Sequence, residues 1–323
     1  MTGAVDSGNV VPDSDTFVSD TEPYRRELLA HCYRMLGSID DAEDVVQETY
    51  LRAWRAYDAF EGRSSVRTWL YQIATNACLT SLNHHSRRVL PSGLGGPEPD
   101  PAPAPVAAPS EVSWLQPVPD AVFSHGSGDP ATVAVARESL RLALIASLQY
   151  LPGTQRAVLL LRDVLAFPAA EVAVLLGTTT ASVKSMLQRA RARLREVSPS
   201  PEDIAAPAAP AARMLLEQYI AAFQNSDAAS LERLLSRDAT LEATPWRTWY
   251  AGQATCVPFL RRWVLGSPGD WRMLPTAANG QPAAVGYARG RPYGVVVLTV
   301  TGGHISHVVS FQDPALVARF GSV

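Results

Sequence analysis

Lysine is almost absent from this sequence of 323 residues, although arginine is plentiful, and its single occurrence is Lys184. Cysteine is also scarce. Cys32, Cys78 and Cys256 lie far apart, which excludes a disulfide framework and the closely spaced cysteines of a zinc site. We therefore expect three buried thiols in a reducing cytoplasm, with neither a metal nor another cofactor.

Long apolar runs are missing as well. No stretch approaches the ~20 residues that a membrane-spanning helix needs, and the acidic, polar N-terminus lacks the basic start and apolar core of a signal peptide. These absences predict a soluble, cytoplasmic protein without a membrane partner. The net charge of −3 excludes binding of nucleic acid by bulk charge, so a polyanion must meet a local basic patch.

Two stretches rich in proline and alanine, residues 91–120 and 198–212, divide the chain, because proline fixes φ and removes a hydrogen-bond donor. The predicted organisation is a disordered tail (1–21), a helical domain (22–89), a linker (90–134), a second helical domain (135–197), a short linker (198–212) and an α+β domain (213–323). The first linker also carries Trp114, Leu115 and Phe123, apolar residues that a solvated tether does not need. Docking of this linker on another domain is therefore an open alternative.

Helix signals differ between the pieces. In the first, Ser38 or Asp40 ahead of Glu43 forms a capping signal, and apolar residues then recur at helical spacing. The second contains short helices punctuated by Pro152 and Pro168. The third changes from two helices to strand-like runs separated by Asn-Gly and Gly-Gly pairs, which predicts helices followed by an antiparallel meander.

The lysine lies in "GTTTASVKSMLQRARARLRE", which places an apolar stripe beside a basic one when drawn as a helix. The apolar stripe is Val183, Leu187, Ala190 and Leu194, and the adjacent stripe is Lys184, Gln188, Arg191 and Arg195. A short turn separates this helix from the preceding one, as in a helix-turn-helix that reads the major groove. A solvated basic face on an ordinary bundle helix is the alternative.

The same stretch resembles region 4.2 of extracytoplasmic-function (ECF) RNA polymerase sigma factors, for which G-x-x-x-G-[ST]-V-K-S-R-L-x-R-A-R-x-x-L is usual. The match includes Val183-Lys184-Ser185, Leu187, Arg189-Ala190-Arg191 and Leu194. Ala181 stands where the family often has glycine. Met186 stands where it often has arginine, which removes a phosphate contact. Lys184 occupies the family's own lysine position.

Two upstream segments resemble the same family in the expected order. "DDAEDVVQETYLRAW" is similar to region 2.2, and "SSVRTWLYQIATNACL" is similar to regions 2.3 and 2.4. The resemblance implies two all-α domains, sigma regions 2 and 4, and a non-enzymatic factor that binds core RNA polymerase and promoter DNA. A one-component helix-turn-helix regulator with a small-molecule-binding or catalytic C-terminal domain remains the alternative.

The resemblance also implies roles for particular residues. In region 4, those expected at the −35 element are Thr179, Thr180, Ser182, Lys184, Ser185, Gln188, Arg189 and Arg191. In region 2, those expected at the −10 element are Tyr57, Phe60, Arg63, Ser64, Arg67, Asn76, Arg87 and Arg88. Those expected to bind the coiled coil of the largest polymerase subunit are Asp41, Asp44, Gln47 and Glu48, while region 4 is expected on the flap of the second-largest subunit.

Plainer interpretations exist for some of these residues. Acidic side chains in the first turn of a helix favour its dipole, which accounts for Asp41 and Asp44 but less well for Gln47 and Glu48. Captured bases need aromatic faces and backbone cations, which the segment around Phe60 supplies. Trp69 is expected in the core, and His84–His85 are expected to be exposed polar residues rather than metal ligands.

The third piece resembles the SnoaL-like branch of the NTF2-like fold by the order of its elements, without a diagnostic motif. Its possible pocket residues are Trp246, Trp249, Tyr250, His304 and His307. The two histidines lie three apart on one strand and so on opposite faces, which argues against a catalytic pair. Docking on sigma region 2 or the linker, with modulation of activity in cis, is the leading expectation, ahead of ligand sensing and catalysis.

Overall fold

The computed structural model describes residues 14–84, 86–123, 140–197 and 209–321. Four helices form the first unit: α1 (Ser14–Thr21), α2 (Arg25–Leu36), α3 (Ile39–Ala56) and α4 (Val66–His84). Four more form the second: α5 (Leu142–Leu148), α6 (Gly153–Leu159), α7 (Ala169–Leu175) and α8 (Thr180–Val197), with a π-helical turn, Leu160–Val164, after α6. In the described ranges no helix is long and apolar enough to cross a membrane.

Helix α1 differs from the expected disordered tail, since its residues 14–21 are ordered and packed. Phe17 is buried, and its ring meets Tyr50, Trp54 and Tyr57 edge-on at centroid distances of 6.3, 5.1 and 5.2 Å. The segment "SDTFVSD" has no apolar periodicity of its own, so its order comes from the aromatic residues of α3. The rest of the predicted tail lies outside the described residues.

The segment predicted as the first linker is likewise held against the folded units as far as Phe123. Leu115 and Val118 are almost completely buried, whereas Trp114 and Phe123 are half-buried. The Tyr33 hydroxyl of α2 donates to the carbonyl of Gln116 at 2.8 Å. This stretch therefore joins the core of the first helical unit.

The two helical units share one apolar core. Arg156 on α6 is 3% exposed and donates to the Met35 carbonyl of α2, the Gln149 side-chain oxygen (2.6 Å) and the Leu151 carbonyl (3.1 Å). Burial lowers the pKa of this guanidinium to about 10, with a smaller opposing effect of Cys78. A buried cation thus holds the second unit against the first.

The C-terminal unit begins with α9 (Ala209–Gln224) and α10 (Ala228–Leu234), so helical structure starts before the predicted boundary at residue 213. Its strands are β1 (Leu235–Thr244), β2 (Tyr250–Ala251), β3 (Trp271–Ala278), β4 (Gln281–Ala288), β5 (Arg291–Thr301) and β6 (His304–Phe311). Helix α11 (Gln253–Phe259) continues as a π-helical turn, Leu260–Val264, and α12 (Pro314–Arg319) closes the described chain. The expected antiparallel meander β3–β6 is present, and β1 adds to it parallel to β6 in the order β2-β1-β6-β5-β4-β3.

Alternation along the strands gives the sheet two buried faces. One face, with Val296, Leu298 and Val308, packs against α9 and α11 in a core of its own. The opposite face, with Val297 and Phe311, belongs to the core of the helical units. The C-terminal unit is therefore joined to the two helical units by a continuous apolar contact.

The predicted Asn279–Gly280 hairpin lies at the centre of this contact. Both residues have positive φ, 56° and 67°, as a two-residue turn of this kind requires. The Asn279 amide donates to the Tyr33 hydroxyl at 2.7 Å and to the Leu140 carbonyl at 2.8 Å, and its oxygen accepts from the Val118 amide at 3.0 Å. One completely buried side chain thus connects α2, the linker, the start of the second unit and the sheet.

His31 gives the first unit a specific sensitivity to pH. Its ring is fully buried, Nε2 lies 3.0 Å from the Thr75 hydroxyl, and Nδ1 has no partner. Burial, and to a smaller extent Arg34, lowers its pKa from 6.5 to about 3. Between these two pH values the unfolded chain binds a proton that the folded chain does not, so stability falls as the pH falls.

We expect acidification from pH 7 to pH 5 to lower the free energy of unfolding by about 2 kcal/mol through His31. Urea unfolding at both pH values measures this loss, and His31→Gln should remove most of it. His304→Gln, at an exposed histidine, is the matched control and should retain it. Equal pH dependence of the wild type and His31→Gln would contradict the assignment.

Candidate nucleic-acid and polymerase interfaces

Helix α8 has one packed face and one open face. Val183 and Ala190 are completely buried, and Leu187 and Leu194 pack against the core from partly buried positions. The opposite side is exposed, with only Ser182 half-buried; its predicted DNA contacts are Thr179, Thr180, Ser182, Lys184, Ser185, Gln188, Arg189 and Arg191. The structure therefore brings all the predicted −35 residues to one surface.

The turn before α8 orients that surface. Gly177 has φ of 61°, and the amide of Thr178 donates to the Ala173 carbonyl of α7 at 2.8 Å, which ends α7 in the usual glycine-dependent way. The Thr179 hydroxyl then accepts from the Ser182 amide at 3.1 Å and caps α8. Helices α7 and α8 therefore form a helix-turn-helix motif. The exposed first turns of α8 can approach the edges of DNA bases.

Three arginines of α8 already have partners in the protein, and one of them, Arg193, pairs with Glu196 at 2.8 Å. The Asp163 carboxylate accepts two hydrogen bonds from Arg191, at 2.8 and 2.7 Å, and this pairing raises the pKa of the guanidinium. Arg189 donates to the Ser185 hydroxyl at 2.8 Å. Lys184 and Gln188 are exposed, so they are the side chains of this stripe most available to a ligand.

The acidic helix α3 begins at Ser38, whose hydroxyl accepts from the Asp41 amide at 3.1 Å, so Ser38 rather than Asp40 is the cap. Asp44 and Gln47 are exposed, whereas Glu48 pairs with Arg52 at 2.6 Å. Asp41 pairs with Arg88 at 2.6 Å. The structure thus joins a predicted polymerase contact to a predicted DNA contact, and both are largely covered.

The segment after α3 carries the predicted −10 aromatics. Phe60 stacks on Trp69 at a centroid distance of 4.7 Å, and both rings are half-buried, so Trp69 is less deeply placed than its expected core position. Arg63 and Ser64 are exposed in the segment that follows Phe60, and Arg63 pairs with Glu61 at 3.1 Å. The Tyr57 hydroxyl donates to the Asp20 carboxylate of α1, which places this ring beneath the N-terminal helix.

Other predicted −10 residues are turned towards the second helical unit. Arg67 donates to the Glu27 carboxylate at 2.9 and 3.2 Å, and its guanidinium lies over the ring of Phe167 at 4.8 Å. Arg87 lies over the ring of Tyr150 at 4.2 Å. Asn76 is exposed on α4, whereas His85 lies outside the described residues. Phe60, Arg63 and Ser64 therefore lie on one accessible segment of the chain, whereas the Arg67 guanidinium is held by Glu27.

The C-terminal cavity differs from the predicted set of pocket residues. Trp246 and Tyr250 line it, but Trp249 does not; its indole donates to the Gly95 carbonyl at 2.8 Å instead. His304 is exposed at the start of β6 and does not line the cavity. His307 is also outside it, because His307 and the cavity residue Val308 point to opposite faces of β6.

His307 has a different partner that sequence reasoning missed. Its Nε2 lies 2.9 Å from the Glu242 carboxylate, which also accepts from the Ser92 amide of the linker at 2.7 Å. Burial would raise the pKa of Glu242, but His307 and Ser92 together hold that pKa below its usual value. The alternation of side chains along β1 predicts only that Glu242 and Leu241 point to opposite faces of the sheet. Nothing local in the sequence predicts that Glu242 accepts from Ser92 of the linker.

Comparison with known proteins agrees with the helical units. Residues 21–88 match the model of the family "Sigma-70 region 2", and residues 141–194 match "Sigma-70, region 4". The chain is 50% identical over 311 residues to "ECF RNA polymerase sigma factor SigG" of Mycobacterium tuberculosis, covering 94% of this chain and 83% of that protein. This chain belongs to the ECF sigma factors. It is a transcription initiation factor, which decides against the one-component regulator.

The architecture of this sigma factor also has a solved counterpart. The crystal structure of the extracytoplasmic function sigma factor SigJ of Mycobacterium tuberculosis matches with a TM-score of 0.58 at 24% identity, over 94% of this chain and 98% of that one. By sequence, SigJ is 31% identical over 224 residues, covering 69% of this chain and 63% of that protein. The order of two helical units and a C-terminal α/β unit is therefore shared.

Proposed function

We propose that this sigma factor binds the −35 element through α8, the −10 element through the surface around Phe60, and core polymerase through the exposed residues of α3. The observation that carries the proposal is that α8 has an exposed basic face on the side opposite to the apolar stripe, which packs against the core. Lys184 and Gln188 are long donors in the first half of the recognition helix, where they reach guanine and adenine edges. Exposed Arg189 and Arg193, whose present partners Ser185 and Glu196 lie on the same helix, supply cations for phosphates.

Region 2 supplies the complementary chemistry. The stacked pair Phe60 and Trp69 offers an aromatic face to an unstacked base, and exposed Arg63 and Ser64 offer a cation and a hydroxyl beside it. On the other side of the domain, Asp44 and Gln47 present a carboxylate and an amide that complement a basic partner surface. Separate surfaces thus serve DNA and polymerase.

The arrangement of the described units corresponds to a closed form of the factor. Promoter positions −35 and −10 are separated by roughly 25 base pairs, or about 85 Å of B-form DNA. Regions 2 and 4 instead touch, through Arg156 and through Arg67 against Phe167. Binding to both elements therefore requires the two regions to separate, and the linker between them allows it.

The C-terminal unit favours this closed form in cis. Arg319 of α12 donates to Glu43 at 2.8 Å and also to Asp40, both on α3 beside the predicted polymerase contacts. The Asn279 hairpin and the apolar face of the sheet hold the same domain and the linker. We propose that this docking restrains the free factor until polymerase competes for α3.

Runoff transcription with purified core polymerase and a pool of genomic promoters tests the contacts. We expect Asp44→Ala/Gln47→Ala to lower transcript yield about fivefold at limiting factor, because two contacts of roughly 0.5 kcal/mol each are lost. Arg55→Ala, on an exposed position of the same helix, is the matched control. Full yield from the double variant would remove α3 from the polymerase interface.

A second variant distinguishes loss of promoter binding from loss of polymerase binding. Lys184→Ala should lower the yield without changing the affinity for core polymerase, which is measured by fluorescence titration in the absence of DNA. If Lys184→Ala transcribes normally from every promoter in the pool, α8 does not read the −35 element through this residue.

A further inference from the structure

A cavity of about 420 Å³ lies between the sheet of the C-terminal unit and the helices α9 and α11. The volume falls in the range of small-molecule sites, which is roughly 300 to 1,000 Å³. The cavity is neither part of the DNA-facing or polymerase-facing surfaces nor part of the interface with the helical units. The proposed function therefore gives this cavity no role.

Eight of the 21 residues that line the cavity are aromatic. Phe223 and Tyr293 meet Trp271 edge-on at centroid distances of 5.7 and 4.7 Å, and Tyr250 stacks on Phe259 at 4.2 Å. These rings fix one another and leave flat apolar faces towards the cavity. Among the described residues that line it there is no aspartate, glutamate, histidine, lysine or arginine. An ion would enter without a counter-charge, so the chemistry selects an uncharged occupant.

One lining residue, Tyr250, carries a polar group without a partner among the described residues. Tyr250 is 2% exposed, and its buried hydroxyl makes no hydrogen bond with any described residue. Burial, with smaller effects of Glu98 and Asp100, raises the pKa of this phenol to about 12, so it stays protonated. A buried hydroxyl in this state costs free energy until a ligand supplies the partner. Ser310 adds a second hydroxyl to the lining.

The linker between regions 2 and 4 covers the mouth of the cavity. Residues 95–108, here termed the strap, place Ala104 and Pro105 in its lining. The Val106 amide donates to the Thr248 hydroxyl at 2.8 Å, and the Ala108 amide donates to the Pro245 carbonyl at 3.0 Å. The Trp263 indole donates to the Pro101 carbonyl at 3.3 Å. A molecule in the cavity would therefore touch the same linker that must extend for promoter binding.

We propose that this cavity binds an uncharged aromatic small molecule that pairs with the Tyr250 hydroxyl, and that the strap is its lid. Binding itself goes beyond the proposed function, since it needs neither polymerase nor DNA. An occupant strengthens the contact between the strap and the C-terminal unit and so stabilises the closed form. Because the ligand contacts the strap in the closed form and not in the open form, its binding shifts the equilibrium towards the closed form.

Fluorescence titration of the full chain with N-phenyl-1-naphthylamine, an uncharged aromatic probe, tests the site. We expect saturable binding at one site, and roughly tenfold weaker binding of its anionic analogue 1-anilinonaphthalene-8-sulfonate, because no cation lines the cavity. Ala243→Leu and Ser310→Leu each reduce the volume from a different strand and should each weaken the uncharged probe about tenfold. Ala277→Leu, exposed on β3, is the matched control.

Tyr250→Phe gives a readout that a purely structural role would not. Removing an unpartnered buried hydroxyl should leave the melting temperature of the free protein unchanged or higher, while weakening the probe about fivefold. Hydrogen exchange at the Val106 and Ala108 amides should slow when the probe is bound. Absence of probe binding, or equal binding by the wild type and both leucine variants, overturns the site. Unchanged exchange at the two amides overturns the role of the strap.

Discussion

Arg156→Met is expected to lower the free energy of unfolding of the full chain by about 3 kcal/mol, because buried acceptors lose their donor. The Arg156 guanidinium donates to the Met35 carbonyl in region 2. In region 4 it donates to the side-chain oxygen and the carbonyl of Gln149 and to the Leu151 carbonyl. Methionine replaces the apolar stem and leaves these oxygens without their donor in a buried interface. The loss is therefore larger than that of the guanidinium's contacts alone.

Urea unfolding followed by circular dichroism measures this loss, with Arg195→Met as the matched control. Arg195 is exposed on the last turns of α8, so the same substitution there removes a charge without opening the interface. A loss below about 1 kcal/mol for Arg156→Met would mean that water reaches the oxygens and that regions 2 and 4 are held by apolar packing alone.

Local chemistry explains which parts of the fold the sequence predicts well. The Ser38 cap, the glycine-dependent turn at Gly177 and the Asn279–Gly280 hairpin each depend on a few neighbouring residues, and each lies where the sequence places it. The stripe on α8 is equally local, because helical periodicity alone separates Val183 from Lys184. The same reasoning fails for α1, whose order depends on rings of α3 that lie more than thirty positions along the chain from Phe17.

Local sequence patterns do not predict contacts between residues that lie far apart along the chain. Arg88 and Asp41 each have a role suggested by the family, yet they pair with one another. The place of Arg67 in the motif predicts a DNA contact, whereas in the structure Arg67 pairs with Glu27 and lies over Phe167. Periodicity correctly separates the two histidines of β6 but cannot show that His307 faces Glu242 and the linker. In all three cases the partner lies 40 or more positions away along the chain, beyond the reach of any local pattern.

Asn279→Ala is expected to weaken docking of the C-terminal unit by about 3 kcal/mol. The Val118 amide and the Leu140 carbonyl lose their partner in a buried position, and alanine is disfavoured at φ of 56° by about 1 kcal/mol. If docking restrains the factor, the open fraction rises. The apparent affinity for core polymerase rises with it, by more than about tenfold where the closed form dominates.

Fluorescence titration of the labelled factor with core polymerase measures that affinity. Asn279→Gly keeps the positive φ and removes only the amide, so the difference between the two variants isolates the backbone cost. Asn225→Ala, at a residue whose side-chain amide donates to the Ala221 carbonyl of α9, is the matched control. Arg319→Glu should act in the same direction but more weakly, because its pairs with Asp40 and Glu43 are half-exposed. Unchanged affinity in a folded Asn279→Ala protein would show that the C-terminal unit does not restrain region 2, and would leave the closed form to the contacts between regions 2 and 4.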